Sequence, residues 1–150
     1  MIDIQNSKIG ILLSPQLKND GDFAGNTYVD TAGWGHLRVL LITGTVDITT
    51  GSTAEGMAPL VEECDTTDGS YTDVSDAALA DSISATEDDS LFAIDIDLTK
   101  SHKRYMQVQA PHAGDGTTGN NLAIIGILSK PMGQGPGSAA DQGLTEHIKA

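Results

Sequence analysis

In the stretch "KSHKRY", Lys100, His102, Lys103 and Arg104 bring three of the chain's eight Lys and Arg residues together, at the mouth of an alternating segment in a chain of net charge -13. Such a cationic group has two chemical uses. It can form a solvated turn whose charges offset nearby Asp95 and Asp97 across the hairpin, each exposed pair contributing about a few tenths of a kcal/mol. Alternatively it is a contact patch for an acidic partner, or for the acidic flank of an identical subunit in a ring or trimer. Both uses are carried forward as expectations.

Elsewhere the side chains offer little catalytic signal. The sequence has no G-x-S-x-G, no S-x-x-K, no P-loop, no G-x-G-x-x-G after a strand and no H-E-x-x-H. His36, His102, His112 and His147 are scattered, and His102 and His112 flank opposite ends of one strand, far apart at about 3.3 Å per residue. A histidine metal site is therefore not expected.

Carboxylates are denser: fourteen of the twenty-one lie between Asp47 and Asp97, where no Lys or Arg occurs. Calcium takes oxygen ligands from acidic loops, yet "DTTDGSYTD" lacks the ligand spacing of an EF-hand, and "TEDDS" and "NDGDF" read as turns. A solvated acidic face is expected, with no metal and no cofactor. Two acids facing each other across a cleft would suit glycoside hydrolysis, but sugar sites normally add aromatic platforms. Aromatics make up 4% of residues; Trp34 in "TAGWGHL" and Tyr71 in "DGSYTDV" are the candidate platforms, with turn or core packing the expected role of each.

Charge and composition narrow the partners. At -13, with a sequence pI near 4.3, the chain lacks the basic face that nucleic-acid phosphates require, and the same sign disfavours anionic membranes. The longest apolar runs, "IGILL" and "LAIIGIL", are too short to span a bilayer. The opening "MIDIQNSKIGILLSPQ" is too short in its apolar stretch and too acidic in front for a secretory signal, so synthesis in the cytoplasm is expected. Cys64 is the single cysteine, excluding an intrachain disulfide, and is expected as a small buried or edge thiol.

These residues must be positioned by strands, because apolar residues recur with period two and a helical stripe is hard to find. In "SLFAIDIDL", Phe92, Ile94, Ile96 and Leu98 alternate against Ala93, Asp95 and Asp97, the pattern of a half-buried antiparallel strand. "HLRVLLITG" sets Leu37, Val39 and Leu41 against Arg38, Leu40 and Ile42, apolar enough on both faces for a central strand, and "NLAIIGILS" is similar. "YMQVQA" places Met106 and Val108 inward with Tyr105 and Gln107 outward; "NTYVDT", "TVDITT", "APLVEEC" and "SYTDV" are shorter candidates. Separated by turns such as "NDGD", "TAGWG", "TTDGS" and "HAGDGTTGNN", about eight strands predict an all-β, antiparallel β-sandwich or barrel. "SDAALADSISATEDDS" is expected as an irregular crossing between sheets, with one helical turn in "DAALAD" the alternative.

At 150 residues one domain is the default, here 27–131. Residues 1–26 form an N-terminal arm or first strand, and the Gly/Pro-rich 132–150 a flexible C-terminal arm, with "LTEHIKA" a possible terminal helical turn.

The order "GHLRVLLITGTVD", "APLVEECDTTDGSYTDV", "LFAIDIDLTKSHKRYMQVQA", "NLAIIGILSKP" resembles a loose family of small tailed-bacteriophage structural proteins encoded among head genes, over roughly residues 27 to 131. The resemblance implies a jelly-roll-like β-sandwich on the capsid exterior, a decoration, cement or minor capsid protein bound to the major capsid protein as a homo-oligomer, a trimer being expected. It implies no enzyme activity. The extended N-terminal stretch and the Gly/Pro tail depart from the family pattern. Two further readings remain: a carbohydrate- or receptor-binding virion module using Trp34 and Tyr71, and a calcium-dependent hydrolase built on the acidic middle.

Overall fold

The computed structural model describes residues 6–23, 27–47, 58–109, 117–133 and 140–145. Eight strands follow one another: β1 (Lys8–Lys18), β2 (Tyr28–Asp30), β3 (Trp34–Val46), β4 (Leu60–Cys64), β5 (Thr72–Ala78), β6 (Leu91–Asp97), β7 (Tyr105–Val108) and β8 (Asn120–Pro131). No α-helix forms among the described residues. All pairings are antiparallel, in two four-stranded sheets ordered β1-β8-β3-β6 and β2-β7-β4-β5. The protein is an all-β antiparallel sandwich.

Its pairings are nested. β1 joins β8, β2 joins β7, β3 joins β6 and β4 joins β5, so the first half of the chain lies antiparallel along the second. Every connection except β4 to β5 crosses from one sheet to the other. The two-sided strand of the sequence, β3, occupies the centre of its sheet with β8 on one side and β6 on the other. Leu37, Val39 and Leu41 point into the sandwich and lose all contact with water. In β6, Ile94 and Ile96 are buried, and Phe92, with Leu98 just past the strand's end, packs partly against the core, as the alternation predicts.

The core is aliphatic. Leu12, Leu13, Leu122, Ile124 and Leu128 meet Val29, Val61, Met106 and Val108 from the facing sheet, with Phe23 and Ile83 brought in from loops. Gly10 and Gly126 pair directly across β1 and β8, and a Cβ on either would come within 2.8 or 3.3 Å of a Val29 methyl. Those two glycines make a notch that lets β2 close onto the first sheet.

The expected crossing is shorter than the sequence suggested. Ser75–Ala78 of the presumed crossing complete β5, where the pairing with β4 shifts register and Asp76 takes φ 61°. This bulge leaves the buried Val74 and Ala77 three residues apart, and no helical turn forms in "DAALAD". Thr45 and Val46 of "TVDITT" end β3; residues 48–50 lie outside the described residues, as do the first five residues of "HAGDGTTGNN", residues 1–5, 24–26 and 134–139, and the 146–150 part of "LTEHIKA".

The described parts of both terminal segments lie along the first sheet. Of the two expected forms of the N-terminal region, residues 8–18 adopt the strand, as β1. Within the C-terminal arm, residues 140–145 lie on the outer edge of β1, where the Gln142 carbonyl accepts the Ile9 N–H at 2.6 Å and Gln142 is buried. An edge strand otherwise offers unpaired N–H groups to other chains, and this segment caps one. Gly143 has φ 77°, and a Cβ there would overlap the Ile9 carbonyl. Gly143→Ala should therefore lower stability by about 1 kcal/mol or more and speed hydrogen exchange of the Ile9 amide; unchanged exchange would mean that the segment does not protect this edge.

Candidate functional site

Lys100, His102, Lys103 and Arg104 lie on the link from β6 to β7. The Arg104 guanidinium donates to both carboxylate oxygens of Asp30 on β2, at 2.9 and 2.7 Å, and lies 5.1 Å from the centre of the Tyr105 ring. His102 Nδ1 is 3.0 Å from Glu63 Oε2, which also accepts the Lys103 N–H at 3.1 Å; Lys103 Nζ donates to Thr72 Oγ1 at 2.9 Å. The Lys100 N–H bonds the Asp97 carbonyl at 3.3 Å. The stretch thus ties its link to β2, β4 and β5. For His102, Lys103 and Arg104 the side-chain partners are not the Asp95 and Asp97 expected across the hairpin. Hydrogen bonding from Arg104 holds the Asp30 carboxyl below the usual carboxylate range and raises the arginine in turn.

Lys100 and His102 also line a cleft of about 400 Å³ between β5 and β6, the facing edge strands of the two sheets. Glu63, Asp73, Asp76, Asp95 and Asp97 complete its polar wall. Among the described residues no three His, Cys, Asp or Glu side chains converge as ligands for a metal ion. Other acids of the middle region secure loops: Asp88 accepts the Val46 N–H at 2.7 Å, Glu87 accepts that of Ser84 at 2.6 Å, and Asp47 accepts those of Thr117, Thr118 and Gly119. Part of the expected acidic face is therefore turned to its own backbone.

One constellation was not anticipated from sequence. On the outer side of the first sheet, Ser129 Oγ lies 3.1 Å from His36 Nδ1, and His36 Nε2 lies 3.1 Å from Asp95 Oδ1. Arg38 completes it with two bonds to Asp95, at 2.8 and 2.9 Å. The residue types are those of a hydrolytic triad, and cross-strand register brings them together, since His36 is opposite Ser129 and Arg38 opposite Asp95. Ser129, however, is only 3% exposed, whereas a nucleophile must come within about 3 Å of a substrate carbon. Asp95 is held mainly by the guanidinium. The arrangement is a polar clasp across β8, β3 and β6.

Of the two candidate platforms, Trp34 is partly buried against the core, and the Tyr71 hydroxyl is buried with no hydrogen-bond partner, burial raising its pKa. Cys64 is buried at the end of β4. The second sheet instead brings together Tyr28 and Tyr105, ring centres 5.3 Å apart and edge to face, with Tyr28 43% exposed. The Gln107–Glu62 bond of 3.0 Å and the Asp30–Arg104 pair flank them. The outward parity of Tyr105 was legible; its pairing with Tyr28 depends on β2 lying beside β7. His112 and His147 lie outside the described residues.

Compared with models of known protein families and with curated proteins, the chain matches none.

The clasp has a pH consequence. Asp95 is held below the usual carboxylate range by the Arg38 hydrogen bonds first, against the opposing effect of burial, and Asp30, Asp47 and Asp97 are lowered as well. A carboxyl whose folded pKa lies below its unfolded value stabilises the fold above about pH 4 and loses that contribution as pH falls through the folded value. Asp95→Asn should therefore lower the urea midpoint at pH 7, with wild type and variant converging as pH drops below about 4. A constant gap between the two curves would count against the clasp.

Proposed function

We propose that this chain is a non-enzymatic virion structural protein that decorates or cements the outside of a bacteriophage capsid shell, after synthesis in the host cytoplasm. Its partners in this reading are the major capsid protein and further copies of itself. The observation that carries it is the nested pairing of eight strands across two sheets, which we read as a jelly roll, an architecture that recurs in viral capsid domains. Because a fold alone assigns no function, the resemblance in segment order over residues 27 to 131 is the second support. A shell protein gains its affinity from many symmetric contacts, so weak individual contacts suffice through avidity.

The decisive experiment is quantitative mass spectrometry of purified virions, where a copy number fitting a repeated site on the shell is expected. Presence in the lysate but not in virions would sink the proposal. Lys100 and Lys103 are the cations of the 100–104 stretch least committed to internal carboxylates; Lys100→Glu with Lys103→Glu should lower shell occupancy at an unchanged melting temperature. Equal occupancy would return the stretch to its internal role.

The Tyr28–Tyr105 pair, with Tyr28 exposed and Tyr105 half-buried, favours a second reading, a carbohydrate- or receptor-binding module of a virion, since a sugar ring can pack on Tyr28 beside Gln107 and Glu62. Binding on a glycan array that Tyr28→Ala abolishes is the expected result there, and a blank array would remove this reading.

A further inference from the structure

The outward face of the first sheet is apolar, where an antiparallel sheet open to water normally presents polar residues. Ile11, Ile125, Leu40 and Ala93 stand side by side across β1, β8, β3 and β6. Ile9 and Ile127 flank this row on one side, Ala123, Ile42 and Leu91 on the other. Ile11, Ile42 and Leu91 are 57%, 40% and 64% exposed. None of these nine positions is charged, in a chain with twenty-one carboxylates. Polar groups mark the ends: the Ser129–His36–Asp95–Arg38 clasp at one, Asn121 beside Leu17 at the other. The second sheet shows the usual pattern, with Asp30, Glu62, Asp73, Tyr105 and Gln107 among its outward residues.

We propose that this face packs against the same face of a second copy of the chain, forming a two-fold symmetric homodimer. Shape favours this occupant. A four-stranded face suits another twisted sheet, packed about 10 Å away at a shallow angle, better than it suits a small ligand, which needs a cleft. Area agrees when the polar ends are included: strands of 11, 12, 13 and 7 residues, about 4.8 Å apart, cover roughly 700 Å², close to the roughly 800 Å² per partner of a standard interface. Composition agrees too, because an aliphatic centre with a polar rim is the anatomy of a permanent homodimer, whereas a transient docking surface is about as polar as the rest of a protein.

Charge selects the contact. Two copies at -13 repel each other at a distance, and this is the broad surface from which carboxylates are missing. Of the carboxylates on the outward side of β6, Asp95 is already paired with Arg38, and Asp97, beyond it at the polar end, accepts from Thr99. In this proposal a two-fold pair stands in place of the trimer expected from the sequence, for which the 100–104 stretch was one candidate contact. The dimer does not depend on the virion reading, since either can hold without the other.

Light scattering on the eluting full-length protein is the test. Twice the chain mass of 15.6 kDa is expected, unchanged between low and high salt because the contact is apolar. Ile42→Lys with Leu91→Lys, at positions exposed enough to spare the fold, should halve the mass, while Tyr28→Lys on the opposite sheet should leave it doubled. A wild-type monomer at all concentrations, a trimer, a dimer that dissociates in salt, or a dimer indifferent to the two lysines would each overturn the proposal. So would a monomer whose shell binding is lost in the double variant, which would give the face to the capsid instead.

Discussion

The backbone of β3 is the constraint from which the rest of this sandwich follows. A central strand has N–H and C=O groups on both edges, and burial requires that both be satisfied. Here the partners are β6 and β8, which come from much later in the chain. Once β8 is in register with β3, β1 has its only place in the first sheet, and the Gly10–Gly126 notch admits Val29 and with it β2. β7 and β4 then align beneath. Phe23 is the one aromatic side chain fully buried among the described residues, and the aliphatic layers around it hold only at close approach.

Most of the fold was legible because period two survives wherever one face of a strand is buried. Phe92, Ile94 and Ile96 in β6, Leu98 just past its end, and Met106 and Val108 in β7, were assignable one by one. What escaped depended on departures from that period or on partners distant in sequence. The bulge at Asp76 breaks the period of two, so β5 appeared to end early. Gln142 and Gly143 sit in a segment of glycine and small polar residues whose composition says linker, and only the position of Ile9 gives them a surface.

The candidate sites were less legible, for the same reason. Lys103 and Arg104 stood out as a cluster, but Glu63, Thr72 and Asp30 could not be named as their partners without the order β2-β7-β4-β5. Ser129, His36, Asp95 and Arg38 form no linear motif; register alone gathers them. The apolar exterior was written in the sequence as the two-sided character of "HLRVLLITG" and "NLAIIGILS". Two-sidedness has two causes, a strand buried on both faces or a strand with one face left for a partner, and the alternation itself does not separate them.

The nested order also sets a timetable. While a ribosome has delivered β1 to β7, β3 holds β6 on one side and bare hydrogen-bonding groups on the other, and β1 has no neighbour in its sheet. The last strand to emerge is the one that joins both, so folding cannot approach completion until the chain through Pro131 is free of the exit tunnel. During that interval the aliphatic surfaces of β1 and β3 are open to other nascent chains. A cell making this protein in quantity therefore has reason to hold its early strands apart, and the late arrival of β8 is the point at which holding can end.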